Sequence, residues 1–575
     1  MTPDPLRVMF SFASVQGILD PITPLGQDAI RLLFAGGASL FDLELTLDTL
    51  NFIKISGERI WMDITAAIRN PIGSQIFPRF ISAVDPGVIP ALEEIWDETD
   101  LSPGSGHLRI RTLRRLVGFI FMMAKRILPL VYSPEGKANQ IHQASQREIN
   151  RLQSRSKAIT DAQTTLPERI KLFREMYYGF PFAVPNIFSG AIAGLVPLFL
   201  LNKISTHLTG ANELALEITR GLPYNVTTQM DLALWDTSKQ IRSDTISAQS
   251  FEKSKPDTLA HDYLNGRLPK TAQKAIANFL QAYGIRGVGE IDIGRPRWNE
   301  DPTYIMGVLQ SYLQIEDQNL APDAVFQRGE QAAEGAIAEL EAIARGTFGG
   351  RVKAKIIRGA ARRVRALAGL REYPKFHIVG MMWVIRQALL KSGRELVDAG
   401  TLERPDDLFF LYLSELEALA QGEKRDWKNF VSARRASYDK EISRVQIPRL
   451  LLSDGRAFYE GLTSGEGDSD TLKGSPVSPG VVEGLVRVVL DPQNANLSPG
   501  EILVCQGTDP AWTPLFLAAG GLVMEVGGMM THGAIVAREY GIPAIVGVHQ
   551  ATTVLENGQR IQVNGSTGEI HLLED

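Results

Sequence analysis

One of the eight histidines, His532, stands out by its setting. It lies in GGMMTHGAIVAREYGIPAIVGV, residues 527–548, on a glycine-rich turn that opens straight into helix formers. The unpaired backbone N–H groups and the dipole at a helix start favour an anion. Imidazole is a nucleophile at neutral pH, and its phosphorylated form is a reactive donor. A histidine held in such a place can carry a phosphoryl group. A lone histidine is more often a satisfied surface or loop residue, so the argument rests on the surroundings and not on the residue type.

The elements that must hold His532 are legible around it. AAGGLVMEVG reads as a strand, AIVARE as a helix, Gly541 and Pro543 as its stop, and AIVGV as a second strand. More short β-branched runs lie nearby: VEGLVRVVL, EILVCQG and QRIQVNGSTGEIHLL, with turns at Ser478-Pro479-Gly480, Ser498-Pro499-Gly500 and Asn557-Gly558. Residues 476–575 therefore read as a compact α/β unit. Residues 463–475, rich in Gly, Ser and Asp, read as a flexible linker, and residues 1–462 as mostly helical. Helices are expected at Asp323–Gly346, Arg351–Arg371, Lys391–Gly400 and Asp406–Ala420. In the second, Ile356, Ala360, Val364 and Leu367 share a face, while Lys355, Arg358, Arg362 and Arg365 line another; the basic face is either solvated or meets phosphates. The apolar run Ile187–Leu201 carries Pro197 and two glycines and is short for a membrane span, so a buried helix or helical hairpin is expected.

THGAIVAREYGIPAIVG closely resembles the phosphohistidine motif of the PEP-utilising enzymes: phosphoenolpyruvate synthase, pyruvate phosphate dikinase and rifampicin phosphotransferase. The resemblance implies a swivelling domain in which His532 takes a phosphoryl group at one site and delivers it at another. Thr531 would steady the ring or the phosphate, Gly528 and Gly533 would let the backbone come close, and Arg538 would lie near the phosphate. Further segments resemble the acceptor side of rifampicin phosphotransferase-like proteins, in the same order. They are SVQGILDPITPLG (Ser14–Gly26), RGLPYNVTTQMDLAL (Arg220–Leu234), YGIRGVGEIDIGRPRW (Tyr283–Trp298), LREYPKFHIVGMMWVIRQALL (Leu370–Leu390) and PDDLFFLYLSEL (Pro405–Leu416). By that resemblance Arg371, Lys375 and Gln16 lie by the acceptor hydroxyl. The chemistry is coherent, since a loose anionic phosphoryl-transfer state needs fixed cations and in-line positioning. Arg371 can fork onto phosphate oxygens while Lys375 acts as a point charge. His377 is a possible base or a partly buried helix residue. Asp509 could dock the carrier or close a turn. Arg286, Glu290, Asp292, Arg295 and Arg297 read as a buried ion network or part of the phosphate path. Phe376, Met381, Met382 and Trp383 could line an apolar acceptor pocket or belong to the core.

Composition bounds the rest. At 575 residues, two to four domains are expected. With 65 acidic and 60 basic residues there is no general attraction to nucleic acid or membrane, and neither is expected as a partner. The single cysteine, Cys505, suits a reducing cytoplasm. About forty residues follow His532, too few for a pyruvate-binding barrel, and the first acceptor motif begins at Ser14, leaving no room for an ATP-grasp domain ahead of it. No GxxxxGK loop is present. ATP and Mg2+ are thus expected on a partner ATP-grasp subunit or on a missing N-terminal domain, and no metal site is expected here. The expected function is a phosphotransferase component passing a phosphoryl group from ATP, through His532, to a hydroxyl of a small, largely apolar acceptor. The alternatives are a non-catalytic ligand-binding or regulatory subunit and a carrier of the sugar phosphotransferase type.

Overall fold

A computed structural model of the chain describes every residue except 1–5, 14–18, 42, 72, 97–109, 183, 445, 460–470, 493–494, 496, 530 and 574–575. Helices dominate between Pro24 and Ile442: α1 (Pro24–Ser39), α2 (Ile110–Tyr132), α3 (Pro134–Asp161), α4 (Leu166–Gly179), α5 (Val184–Thr209), α6 (Val226–Ser243), α7 (Lys270–Tyr283), α8 (Pro322–Arg345), α9 (Gly350–Leu367), α10 (Tyr373–Asp398) and α11 (Trp427–Ile442). Their starts follow local chemistry. Thr165 and Glu168 form a capping box ahead of α4, with the Thr165 N–H donating to Glu168 at 2.7 Å. Asn225 caps α6 by accepting from the Thr227 N–H at 3.0 Å.

The expected helices at 323–346 and 351–371 are found, except that the last four residues of the second belong to a 3-10 turn, Ala368–Glu372. Residues 391–398 close the long α10, and the stretch from 406 divides into a 3-10 turn, Pro405–Phe410, and a helix, Leu413–Ala420. The basic face of α9 is engaged in pairing. Arg358 bonds Glu341 of α8 at 2.5 Å, Arg362 bonds Glu135 of α3, and Arg365 donates to the Gly221 carbonyl at 2.8 Å. The apolar run at 187–201 belongs to the single helix α5 and not to a hairpin. One side of α5 packs against α9; at Gly194 an added Cβ would lie 2.6 Å from the Ala368 nitrogen, so only glycine allows this approach. Phe188–Thr209 is the one helical stretch among the described residues long and apolar enough to cross a membrane, and 44% of its most apolar window is buried inside the protein.

Two sheets frame the helices. The first adds a small sheet to the mostly helical N-terminal part. It has the antiparallel order β2-β3-β1-β4-β5, combining β1 (Val8–Ser11), β2 (Ile53–Ser56) and β3 (Arg59–Asp63) with β4 (Leu450–Leu452) and β5 (Ala457–Phe458). Its strands are two to five residues long, too short to show a period, and the pairing of β1 with β4, Val8 to Leu452 and Phe10 to Leu450, joins the two ends of the helical region. The second sheet has the order β6-β13-β12-β8-β9-β10-β11-β7. It uses β6 (Thr471–Lys473), β7 (Ser475–Ser478), β8 (Val481–Val488), β9 (Ile502–Cys505), β10 (Gly521–Met524), β11 (Ala544–Val546), β12 (Arg560–Asn564) and β13 (Glu569–Leu572). Residues 471–475, expected in the linker, are therefore largely in paired strands, because β6 pairs with β13 and β7 with β11. The expected linker residues 463–470 lie outside the described residues.

β8, β9, β10 and β11 are parallel neighbours. β9 and β10 are buried throughout, as parallel strands covered on both faces are. Ile502, Val504, Val523 and Ile545 point into a core with Ile561, Val563 and Ile570. Leu503, Cys505, Leu522 and Met524 share the opposite core with Met230, Trp235, Tyr304 and Tyr312 of the helical region. The face bearing His532 is thus the face packed on the helices.

Candidate functional site

The β10 strand ends in a turn through Gly527, whose φ of 137° suits glycine, and helix α12 (His532–Tyr540) starts at the histidine itself. Thr531, at the N-cap, directs its hydroxyl to the Gly528 carbonyl at 2.7 Å and so closes the loop instead of bonding the ring. Gly533 is confined: an added Cβ would lie 2.4 Å from Thr508 Oγ1 and 2.8 Å from Met524 Sδ. α12 ends at Gly541, a left-handed cap with φ 69°. Arg538 does not reach toward a phosphate. It is buried, donating to the carbonyls of Val477 at 3.1 Å and Met529 at 2.5 Å, and burial pulls its pKa down to about 9. These bonds tie the His532 loop to β7.

The two ring nitrogens of His532 face different partners. Nε2 lies 3.0 Å from Thr513 Oγ1, and that hydroxyl is also 2.8 Å from the Pro510 carbonyl. Nδ1 has no hydrogen-bond partner, but Glu372 Oε2 is 3.7 Å away, an ion-pair separation and too long for a hydrogen bond. The His532 and Glu372 side chains are only 10% and 11% exposed, so the ring is shut between the C-terminal sheet and the helical region. Burial opposes ionisation of Glu372, but the His532 ring, Arg371 and Lys375 together hold its carboxyl well below the usual carboxylate range. Glu372 lies in the REYPK segment beside Arg371 and Lys375, and reading the sequence for phosphate-binding cations passes over it.

From Glu372 a chain of polar contacts crosses the interface. Arg371 bonds Glu372 at 3.2 Å and Glu539 of α12 at 3.0 Å. Glu539 accepts in turn from Asn225 at 2.5 Å and Thr228 at 3.2 Å. Next to it, the Tyr540 hydroxyl donates to Asp231 of α6. Burial pushes the Asp231 carboxyl up to about 8 and raises that of Glu539. Asp509 accepts from the Gly289 N–H at 2.8 Å and the Ala511 N–H at 2.9 Å, so it both joins the sheet to the helical region and closes a turn. Thr513, Glu539, Tyr540 and Asp231 were not singled out in the sequence; Glu539, Tyr540 and Asp231 lie in segments quoted for other residues, and Thr513 follows Asp509 by four.

Of the other candidates, Lys375 is half-buried at the start of α10, and its charge acts on Glu372, Glu290 and Asp509. Arg371 precedes α10 in the 3-10 turn, so the two cations reach the site from consecutive elements and not from one helix face. Gln16 lies outside the described residues. Burial pulls His377 down to about 4, its Nε2 has no hydrogen-bond partner, and the polar contacts at His532 do not include it. Arg286 and Glu290 form a buried bidentate pair, Arg297 donates to the carbonyls of Glu290 and Asp292, Arg295 bonds Asp20, and Asp292 accepts from Thr23, which is a structural ion network. Phe376, Met381 and Met382 are core residues, and Trp383 packs partly buried against the same helices. A cleft of about 470 Å3 opens beside the site and includes Asp20, Arg59, Arg295, Arg444, Asp509 and Trp512 in its lining.

Known proteins match both parts of this arrangement. Residues 497–568 match the PEP-utilising enzyme mobile domain, and residues 184–372 match the rifampicin phosphotransferase fourth domain. A rifampicin phosphotransferase of Streptomyces sviceus is 38% identical over 392 residues, 68% of this chain and 44% of the relative. That of Bacillus subtilis is 35% identical over 372 residues, 65% and 43% respectively. The prodigiosin synthesizing transferase PigC of Serratia marcescens is 30% identical over 306 residues, 52% and 33%. The chain spans under half the length of these relatives. The PEP-utilising enzyme mobile domain thus holds His532, the rifampicin phosphotransferase fourth domain ends at Glu372, and the two residues that meet lie one in each match.

Proposed function

We propose that this chain is the carrier and acceptor part of a phosphotransferase, with His532 shuttling the phosphoryl group. The observation that carries the reading is the meeting of His532 with Glu372, a carboxylate that Arg371 and Lys375 also hold, where the mobile domain closes on the helices. An ATP-grasp unit, holding ATP and Mg2+, would transfer one phosphoryl group of ATP to Nε2 and the other to water, leaving AMP and phosphate, while the mobile domain is swung away. Docking would then bring phosphohistidine to the helical region. There the acceptor hydroxyl attacks phosphorus, the N–P bond breaks, and the hydroxyl proton ends on the vacated Nε2.

Each residue has a physical part in that step. Glu372, held ionised, is a poor base; it favours the tautomer with the proton on Nδ1, which leaves the Nε2 lone pair for phosphorus. The Thr513 hydroxyl can turn from the Pro510 carbonyl to a phosphoryl oxygen. Arg371 and Lys375 offset the charge spread over the phosphoryl oxygens, and burial of the ring strengthens both effects. The cleft bordered by Asp509 and Trp512 would admit a small acceptor bearing a hydroxyl group. The family relationship and the chemistry of the site support this reading over a binding or regulatory subunit.

The test is phosphorylation itself. The chain is incubated with ATP, Mg2+ and an ATP-grasp domain of a relative supplied in trans, and intact mass is read under alkaline conditions. One added phosphoryl group on the wild type and none on His532→Ala is expected. No label on the wild type, with the same ATP-grasp domain labelling its own mobile domain, would refute the carrier role.

A further inference from the structure

α2 has an unusual outer surface. Met123 and Leu130 are buried against the protein, yet Val117, Ile120, Phe121, Leu128 and Tyr132 are 57%, 57%, 73%, 57% and 77% exposed. Val117, Phe121, Ala124 and Leu128 recur at i, i+4, i+7 and i+11, which places them in one stripe along the helix, with Tyr132 at its end. The exposed Arg114 and Lys125 border the stripe on one side. α5 packs beside α2 and adds Val196, Phe199 and Leu200, which are 61%, 61% and 44% exposed, with Lys203 exposed beside them. Neither helix contains a single Asp or Glu, although the chain as a whole carries a net charge of −5. An apolar patch of this extent on a protein surface marks a contact surface.

We propose that the α2–α5 face docks onto an anionic lipid bilayer, peripherally and without crossing it. Aromatic and aliphatic side chains in one stripe with cations at the border match the headgroup–acyl boundary of such a membrane. The acid-free composition selects anionic lipid over neutral lipid. A second copy of the chain fits poorly, because it would bring together two faces bordered by cations and built on helices without Asp or Glu to pair them. The inner side of α5 is committed to α9, so neither helix is free to span. The surface lies outside the polar chain at His532 and goes beyond phosphoryl transfer.

The test is co-sedimentation of the full chain with vesicles of phosphatidylcholine alone and of phosphatidylcholine with phosphatidylglycerol. Binding only to the second, weakened in 1 M salt where the Debye length falls to about 3 Å, is expected. The double variant Phe121→Asp/Leu128→Asp changes two exposed side chains and should keep the wild-type circular dichroism while losing at least about tenfold in partitioning. Arg114→Glu/Lys125→Glu should lose the preference for the anionic vesicle. Absence of wild-type binding to the phosphatidylglycerol vesicles overturns the proposal. So does binding that the first variant leaves unchanged, and so does a dimer in sedimentation velocity that this variant abolishes, which would assign the face to self-association.

Discussion

His532 meets a hydroxyl at one nitrogen and a carboxylate at the other, and the two differ in what their loss would do. Glu372→Gln keeps the shape and removes the charge that favours the Nδ1 tautomer. Turnover of phosphohistidine by the acceptor, followed in a single-turnover assay, should fall about 10- to 100-fold, the usual effect of losing a carboxylate that orients an imidazole. Arg371→Ala leaves Glu539, 2% exposed, facing Glu372 without the cation between them. Removing one partner of a buried pair costs about 3–5 kcal/mol, and thermal unfolding should show it as a lower melting temperature. Gly533→Ala tests the tight seat of the carrier helix. Its Cβ would fall 2.4 Å from Thr508 Oγ1, so a loss of about 1–3 kcal/mol is expected in denaturant titration, with no change in the acceptor-side residues.

At the scale of elements, α12 meets α6 where the Tyr540 hydroxyl donates to Asp231. Asp231 is protonated there up to a pKa of about 8, against 3.8 in water, because burial disfavours its charge; Tyr540, Arg286, Glu539, Tyr283, Tyr304 and Tyr312 are titratable groups around it. A carboxyl whose pKa is raised in the folded, docked state stabilises that state fully below about pH 4 and loses this contribution as pH rises to about 8. Glu539, also raised, acts with the same sign. Between those limits the slope reaches up to about 1.4 kcal/mol per pH unit for one group. Melting temperatures measured from pH 5 to pH 9 should therefore fall with pH in the wild type, and Asp231→Asn should flatten the profile. An unchanged slope in that variant would remove Asp231 as its source. Helix and strand patterns near His532 were readable because they are local: the glycine turn, the AIVARE periodicity and the Gly541 stop all lie within one stretch. The N-terminal sheet was not readable, because its strands are short and β1 pairs with β4 from the far end of the helical region.

For the whole molecule, the shared core between the second sheet and the helices is the main obstacle to any swing of the mobile domain. Trp512, Leu515 and Phe516 lie in one cluster with Met230, Trp235 and Tyr312. Undocking must expose this apolar surface, so the closed arrangement is expected to be the majority state of the unphosphorylated chain. Hydrogen exchange across residues 226–243 measures the open fraction. Phosphorylation of His532 in the absence of acceptor adds negative charge beside Glu372 and should raise exchange in this helix relative to His532→Ala given the same treatment.

The amino-acid sequence by itself determined the chemistry on offer: one histidine at a helix start within a glycine-rich turn, a downstream α/β unit, a long helical region, and two cations in REYPK. These depend on residue type and near-neighbour spacing, which are properties of a short stretch. Only the tertiary structure decided which groups meet. It turned Arg538 from the phosphate to the loop carbonyls, put Phe376, Met381 and Met382 into the core, and made the GEIDIG segment an ion network. It also brought Glu372 to His532 across 160 residues of chain and set Glu539 against Arg371. Such contacts form between side chains unremarkable in their own segments, and what gives them their pKa shifts and pairings is burial, which exists only once the two regions pack together.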